Sequence, residues 1–377
     1  MIGQVKKIMK QKRLYFFLTI MVFCITQFVV AKDFLIGADI SALTVYEEAG
    51  VAYLENGKPN DLIAILKDNG FNTIRLRLFV NPDKKGVVVN DLPYTLKLAK
   101  RAKAHKMKLL LNFHYSDTWA DPQKQTKPAA WENMSFEELK QTVQSYTTSA
   151  IKAFRNENVL PDIVQIGNEI TPGMLWPDGK VSAEYDNEIQ WEKFSSLLKA
   201  GIAGVRAAAH DANPKIMLHI DQGGKKSVSQ WFFSNINKHQ VPYDIIGISY
   251  YPWWHGTIED LKENLNYIAM ELKKDVVVVE TAYPHTTDKW YEHPEELPYP
   301  MTPQGQYDML HIITKTVLET PDKRGCGVCY WFPESVPVAK HSWLGGSAAL
   351  FDSEENALPG IHAFVDAAGS RQFKKKR

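Results

Sequence analysis

The sequence predicts an α/β protein, a single-domain (β/α)8 TIM barrel behind an export leader, and three observations carry that expectation. Short apolar runs of strand character alternate with helical patterns along the chain. Eight strand–helix pairs can be counted, which is what an eight-stranded barrel needs. No Pro/Ser-rich linker, low-complexity stretch or internal repeat divides the chain into separate domains. Composition agrees: of 377 residues 45% are hydrophobic, enough for a large packed core. With 44 Lys+Arg against 43 Asp+Glu, the chain has no global field to attract nucleic acid or an anionic bilayer. An open doubly wound sheet is the competing fold. It usually announces a glycine-rich first turn, and the stretch Gly37-Ala38-Asp39-Ile40-Ser41 contains no G-x-G-x-x-G.

Residues 1–31 read as an address. Lys6, Lys7, Lys10, Lys12 and Arg13 form a basic start, an apolar run follows over 14–24, and Val29-Val30-Ala31 offers small residues for a signal peptidase. The run is shorter than the ~20 residues that span a bilayer, which argues against a membrane anchor. Cys24 follows a bulky Phe23, a poor context for lipid attachment. The expectation is cleavage after Ala31 and export to a periplasm or beyond, leaving 32–377 as the catalytic domain with no membrane-crossing stretch.

The predicted strands are 34–38, 73–78, 108–113, 163–167, 216–220, 245–249, 276–279 and 327–331. Helical spacing covers 61–67, 92–105, 136–155, 191–209, 228–237, 258–272, 306–318 and 361–368. Ser135 before Glu137-Glu138 is a start signal, and Gly70 after the first helix is a stop signal. Cys326 and Cys329 stand three apart in a predicted strand, where they should face opposite sides as buried thiols without pairing or sharing a metal.

In such a barrel chemistry sits at the C-terminal strand ends. Read in order, these ends supply Asp39; Arg75 and Arg77; His114 with Asp117 and Trp119; Asn168-Glu169; His219 with Asp221; Tyr250-Tyr251; Glu280; and Trp331. Two glutamates stand out. Glu169 closes Ile-Val-Gln-Ile-Gly-Asn, and Glu280 closes a run of four valines. A charge at the end of a buried strand is costly unless it is used. Strands four and seven lie nearly across the mouth of an eight-membered ring, so both carboxyls can flank one bond.

Two carboxyls about one bond are the requirement of glycoside hydrolysis, one protonated to assist departure and the other ionised. Asn168 is placed to bond a sugar hydroxyl, and Arg75 to hold Glu280 ionised and low in pKa. Trp119, Trp176, Trp253, Trp254 and Trp331 are candidate stacking surfaces. Other chemistries lack their signatures. No G-x-S-x-G, H-E-x-x-H or Walker loop is present, and His219-Ile220-Asp221 alone is a weak metal signal.

These residues resemble the endo-β-1,4-galactanases of glycoside hydrolase family 53, also called arabinogalactan endo-β-1,4-galactosidases. The resemblance runs from Gly37-Ala38-Asp39-Ile40-Ser41 to Leu350-Phe351-Asp352. Its most specific stretch is Phe113-His114-Tyr115-Ser116-Asp117-Thr118-Trp119-Ala120-Asp121-Pro122, followed by Gln125. Asn72–Arg77, Gln165–Ile170, Leu175-Trp176-Pro177, Gly247–Pro252 and Val279-Glu280-Thr281 add to it. The resemblance implies a retaining clan A glycosidase with Glu169 as acid/base and Glu280 as nucleophile, acting inside linear β-1,4-galactan or arabinogalactan without a cofactor or metal. Asp39, Arg75, His114, Asp117, Trp119, Asn168, Asp221, Tyr250, Tyr251 and Trp331 are the expected substrate-binding set. After strand eight the family often shows Tyr-Trp-Glu-Pro, where this chain has Tyr330-Trp331-Phe332-Pro333-Glu334. The alternatives are another clan A glycanase, a β-mannanase or xylanase, and a non-catalytic glycan-binding barrel.

Overall fold

The computed structural model describes residues 34–291, 293–337 and 341–369. The expected leader, Cys24 and the basic tail at 374–377 lie outside the described residues. From Phe34 onward the chain forms one compact unit. Eight parallel strands close a barrel in strict sequence order. They are β1 (Leu35–Asp39), β2 (Thr73–Leu78), β3 (Lys108–Phe113), β4 (Ile163–Ile166), β5 (Lys215–Ile220), β6 (Ile245–Ser249), β7 (Asp275–Thr281) and β8 (Gly325–Trp331). β1 pairs with β2 on one side and with β8 on the other, which closes the ring.

The helices follow the strands as α1 (Leu62–Asp68), α2 (Leu92–Ala104), α3 (Phe136–Asn156), α4 (Glu188–Ala209), α5 (Lys226–Lys238), α6 (Ile258–Tyr267), α7 (Pro303–Leu318) and α8 (Ala363–Ala368). Their starts are set by side-chain oxygens that satisfy otherwise unpaired amides. Asp61 accepts from Ile63 N at 2.7 Å, and Asp91 from Tyr94 N at 2.9 Å. Ser135 with Glu138 and Thr257 with Asp260 form reciprocal capping boxes. The helix expected over 258–272 departs from α geometry in its last turn. Ile268–Leu272 widens to a π-helix and stops at Lys273, whose φ is +54°. An additional short helix, Leu43–Glu48, follows β1 directly and has no strong periodicity to announce it.

Inside the barrel the side chains separate into layers. Leu35, Leu110, Ile163, Met217, Ile245, Val277, Val279, Cys326 and Cys329 form one buried apolar cluster that plugs the ring. Close packing there requires glycine at 247, where a Cβ would come within 2.9 Å of Met217 Sδ. Both cysteines belong to this cluster, contrary to the expected opposite faces. The reason is a bulge: Val276 lies opposite Gly325 and Val277 opposite Gly327, so Cys326 is an extra residue that breaks the alternation. Above the plug, towards the C-terminal strand ends, the interior turns polar with Asp39, Arg75, Asn112, Gln165, His219, Ser249 and Glu280, all buried. Among the described residues, no helix is long and apolar enough to cross a membrane.

Candidate active site

The polar layer is organised by Arg75. Its guanidinium is fully buried and bridges carboxylates from two other strands. Nη1 lies 3.1 Å from Asp39 Oδ2 and 2.7 Å from Glu280 Oε1. Nη2 donates to Asn168 Oδ1 at 2.9 Å and to Gln165 Oε1 at 3.1 Å. Five donors in a rigid fork suit arginine to tying β1, β2, β4 and β7 together at one point. Asp39 in turn accepts from the Ser41 amide at 3.1 Å, and from the Ser41 hydroxyl.

Glu280, on β7, is 5% exposed and also accepts from Tyr251 Oη at 3.3 Å. Glu169 stands just beyond β4 on a strained turn. Gly167 has φ +79° and Glu169 itself φ +46°, a conformation disfavoured for any residue with a Cβ. That turn lifts the half-buried Glu169 side chain over the mouth, where Oε1 accepts from Ser249 Oγ at 2.7 Å.

The two carboxyls are driven apart electrostatically. Burial raises the Glu169 pKa well above the ordinary range, and the negative charges of Glu280 and Asp221 push the same way. Burial raises Glu280 as well, but the Arg75 ion pair opposes it. The expectation that Arg75 would hold Glu280 ionised and low in pKa is therefore corrected, because desolvation is the larger influence. What Arg75 does is pull the Glu280 pKa back down against that burial.

Both groups open into a cleft of about 790 Å³. Trp119, Asn168, Asp221, Tyr251 and Trp331 line it, together with Trp254, His255 and Trp343. Five residues of the expected binding set sit elsewhere. Asp39 and Arg75 are buried beneath the cleft floor as described. His114 is buried, accepts from Ala120 N at 3.1 Å and packs against Phe79 and Trp119. Burial and the nearby Arg77 and Arg75 hold it neutral by lowering its pKa well below the usual value. Asp117 spends both oxygens on loop amides, from Asn81 and Ala129, each at 2.9 Å.

Tyr250, also expected at the cleft, donates to Gly256 O at 2.9 Å and does not line it. Consecutive strand-end residues face opposite ways, so only one of the Tyr250-Tyr251 pair can reach the mouth. Trp176 donates to Pro172 O and carries Lys180 over its ring, while Trp253 packs against Tyr251 and Tyr291. Glu334 is buried behind the floor, with Oε1 accepting from Ala42 N at 3.1 Å and the pKa raised by burial to about 8.

Three contributors escaped the sequence reading. Trp343 comes from the loop after β8, where no periodicity marks it. His255 accepts from Tyr251 N at 3.1 Å and is pushed down to about 4 by burial. Ser249 could have been flagged as a hydroxyl ending an otherwise apolar strand, Ile-Ile-Gly-Ile.

A barrel whose mouth presents two inequivalent carboxyls across an aromatic-lined cleft has the equipment of a glycoside hydrolase. The comparisons with known proteins narrow the class. The glycosyl hydrolase family 53 model matches residues 35–364, and the chain belongs to that family. It is 33% identical to the endo-β-1,4-galactanase of Bacillus subtilis, over 92% of this chain and 88% of that protein. It is 39% identical to the probable arabinogalactan endo-β-1,4-galactanase A of Aspergillus terreus, over 82% of this chain and 88% of that protein. Among solved structures, the GH53 catalytic domain of Ignisphaera aggregans superimposes with a TM-score of 0.81 at 36% identity, covering 88% of this chain and 95% of that one.

Proposed function

We infer that this chain is an endo-β-1,4-galactanase that hydrolyses internal bonds of galactan and arabinogalactan with retention of configuration. The observation that carries the reading is the pair Glu169 and Glu280 on β4 and β7 of a family 53 barrel, with the proton favoured on Glu169. Glu280 attacks the anomeric carbon while Glu169 gives its proton to the departing glycosidic oxygen. A galactosyl ester on Glu280 results. Water then attacks the same carbon, Glu169 takes the proton back, and Glu280 is released as the carboxylate. Tyr251 and Arg75 hold Glu280 in place for both steps. Asn168 lines the cleft and donates through Nδ2 to Ala120 O at 3.0 Å, which fixes its amide next to Glu169.

Galactose carries an axial O4, so β-1,4-galactan bends where cellulose and mannan run straight. A polar site that loses a matched hydroxyl keeps unpaired buried groups, and such mismatch can discriminate by ~10⁴. The test is reducing-end release from galactan, arabinogalactan, mannan, xylan and cellulose, with proton NMR of the first anomer formed. Galactan should be cleaved to short oligosaccharides with β-product first, and arabinogalactan faster once its arabinose branches are trimmed. Faster release from mannan or xylan, or an initial α-product, would overturn the reading.

Export belongs to the same proposal. The basic-then-apolar start and Val29-Val30-Ala31 support removal of residues 1–31. N-terminal sequencing of exported protein should begin at Lys32, and a product retaining Met1 or starting at Cys24 contradicts it.

A further inference from the structure

Glu169 is held at both ends by one histidine. His219, on β5, is fully buried. Its Nδ1 lies 3.4 Å from the Glu169 amide and 3.1 Å from Gln165 Nε2. Nδ1 also lies 3.1 Å from Asn168 Oδ1, but that oxygen already accepts from Arg75 Nη2 and Asn112 Nδ2, each at 2.9 Å. The amide hydrogen of Glu169 is fixed by the backbone and points at Nδ1, so the tautomer that serves both the amide and Gln165 has Nδ1 as acceptor and the ring proton on Nε2. Nε2 lies 2.9 Å from Ser249 Oγ and donates to it. Ser249, also fully buried, then has one hydrogen left to direct, and its partner is Glu169 Oε1 at 2.7 Å. The hydrogens thus run one way, from His219 to Ser249 to Glu169.

We propose that Ser249 and His219 are positioning residues that reserve Oε1 of Glu169 as an acceptor, so that the transferable proton is carried on Oε2. The proposal rests on the reading of Glu169 as acid/base. An oxygen that receives a short hydrogen bond from a hydroxyl with its own hydrogen fixed has one lone pair engaged and is the less basic of the two, which favours the proton on the other oxygen. During the first step the proton therefore leaves from that favoured oxygen. During the second step the same hydroxyl stabilises the carboxylate that accepts the proton of water. His219 is also bonded to the strained Glu169 amide, so backbone and carboxyl are held by the same ring. The charged and titratable groups facing Glu169 are Glu280 on β7, Asp221 after β5, Arg75 on β2 and Tyr251 after β6. None of them supplies a hydrogen bond to Oε1 among the described residues.

Ser249→Ala removes the donor without removing an acid. Losing a hydrogen bond to the carboxylate form favours the proton, so the alkaline limb of kcat/KM should move up by about one pH unit. Loss of a defined donor oxygen should lower kcat on galactan about tenfold, with much less effect on aryl β-galactobiosides whose acidic leaving groups depart unaided. Ser249→Thr keeps the hydroxyl and should return both the limb and the leaving-group ratio to wild-type values. Ser249→Cys, with only a weak S–H donor, repeats the measurement should the alanine variant fold poorly. Glu169→Ala is run alongside. If it spares aryl substrates while Ser249→Ala and Ser249→Cys leave limb and ratio unchanged, the positioning role is wrong. If Glu169→Ala loses both substrates equally, the acid/base reading itself has failed.

Discussion

At the scale of single residues, the site separates two chemically identical side chains by what surrounds them. Glu169 faces two other carboxyls, Glu280 and Asp221, and a single hydroxyl donor, whereas Glu280 has a guanidinium against it. Asp221 accepts from Thr171 Oγ1 and from Gln222 Nε2. Its carboxylate raises the Glu169 pKa through charge. Asp221→Asn should consequently lower it, and the alkaline limb of kcat/KM should move to lower pH, opposite to the shift expected of Ser249→Ala. A limb that stays put or moves upward would show that Asp221 does not act on Glu169 through its charge. The two glutamates were legible in the sequence because a carboxyl ending four valines has no cheap structural reason to exist. Their support was less legible. Nothing in Asp39 or His114 says whether a strand-end polar group faces sugar or faces Arg75, since both lie within one side-chain length of the mouth.

At the scale of elements, the strands were readable because each is an apolar run bounded by turn residues, and β2, β3 and β6 match the expected limits at both ends. Departures arise where hydrogen bonding breaks periodicity, as in the π turn after α6 and the bulge at Cys326. The segment after β8 is the clearest case of function hidden from pattern. It returns Glu334 to the Ala42 amide at the entrance of the short helix Leu43–Glu48, and leaves Oε2 without a partner among the described residues. Burial raises this carboxyl to about 8, against an unfolded value near ~4.3, so the folded state binds the extra proton. Its contribution to stability is complete below that unfolded value and is lost as pH rises towards 8. Glu169 and Glu280 carry the same sign. Glu334→Gln should reduce, without abolishing, the fall in denaturation midpoint between pH 5 and pH 8. An unchanged slope would mean that Glu334 is ionised in the fold.

At the scale of the whole molecule, the eight-fold alternation made the barrel legible before any motif was weighed, because only closure lets eight parallel strands bury all their edges. Which strand ends converge follows from that closure alone. How far each side chain reaches does not, and it is that reach which divides the expected binding set into cleft residues and floor residues.

The seam between β1 and β8 has its own consequence. Leu35 meets Gly327 across it, so the ring is sealed by partners about 290 positions apart. The six adjacent pairs that do not include β8 can form while synthesis is still under way; this one and the β7–β8 pair must wait for the last strand to be made. Until then both flanks of the unfinished sheet present unpaired amides and carbonyls. A chain cut short before Gly325 loses the clasp as well as a strand.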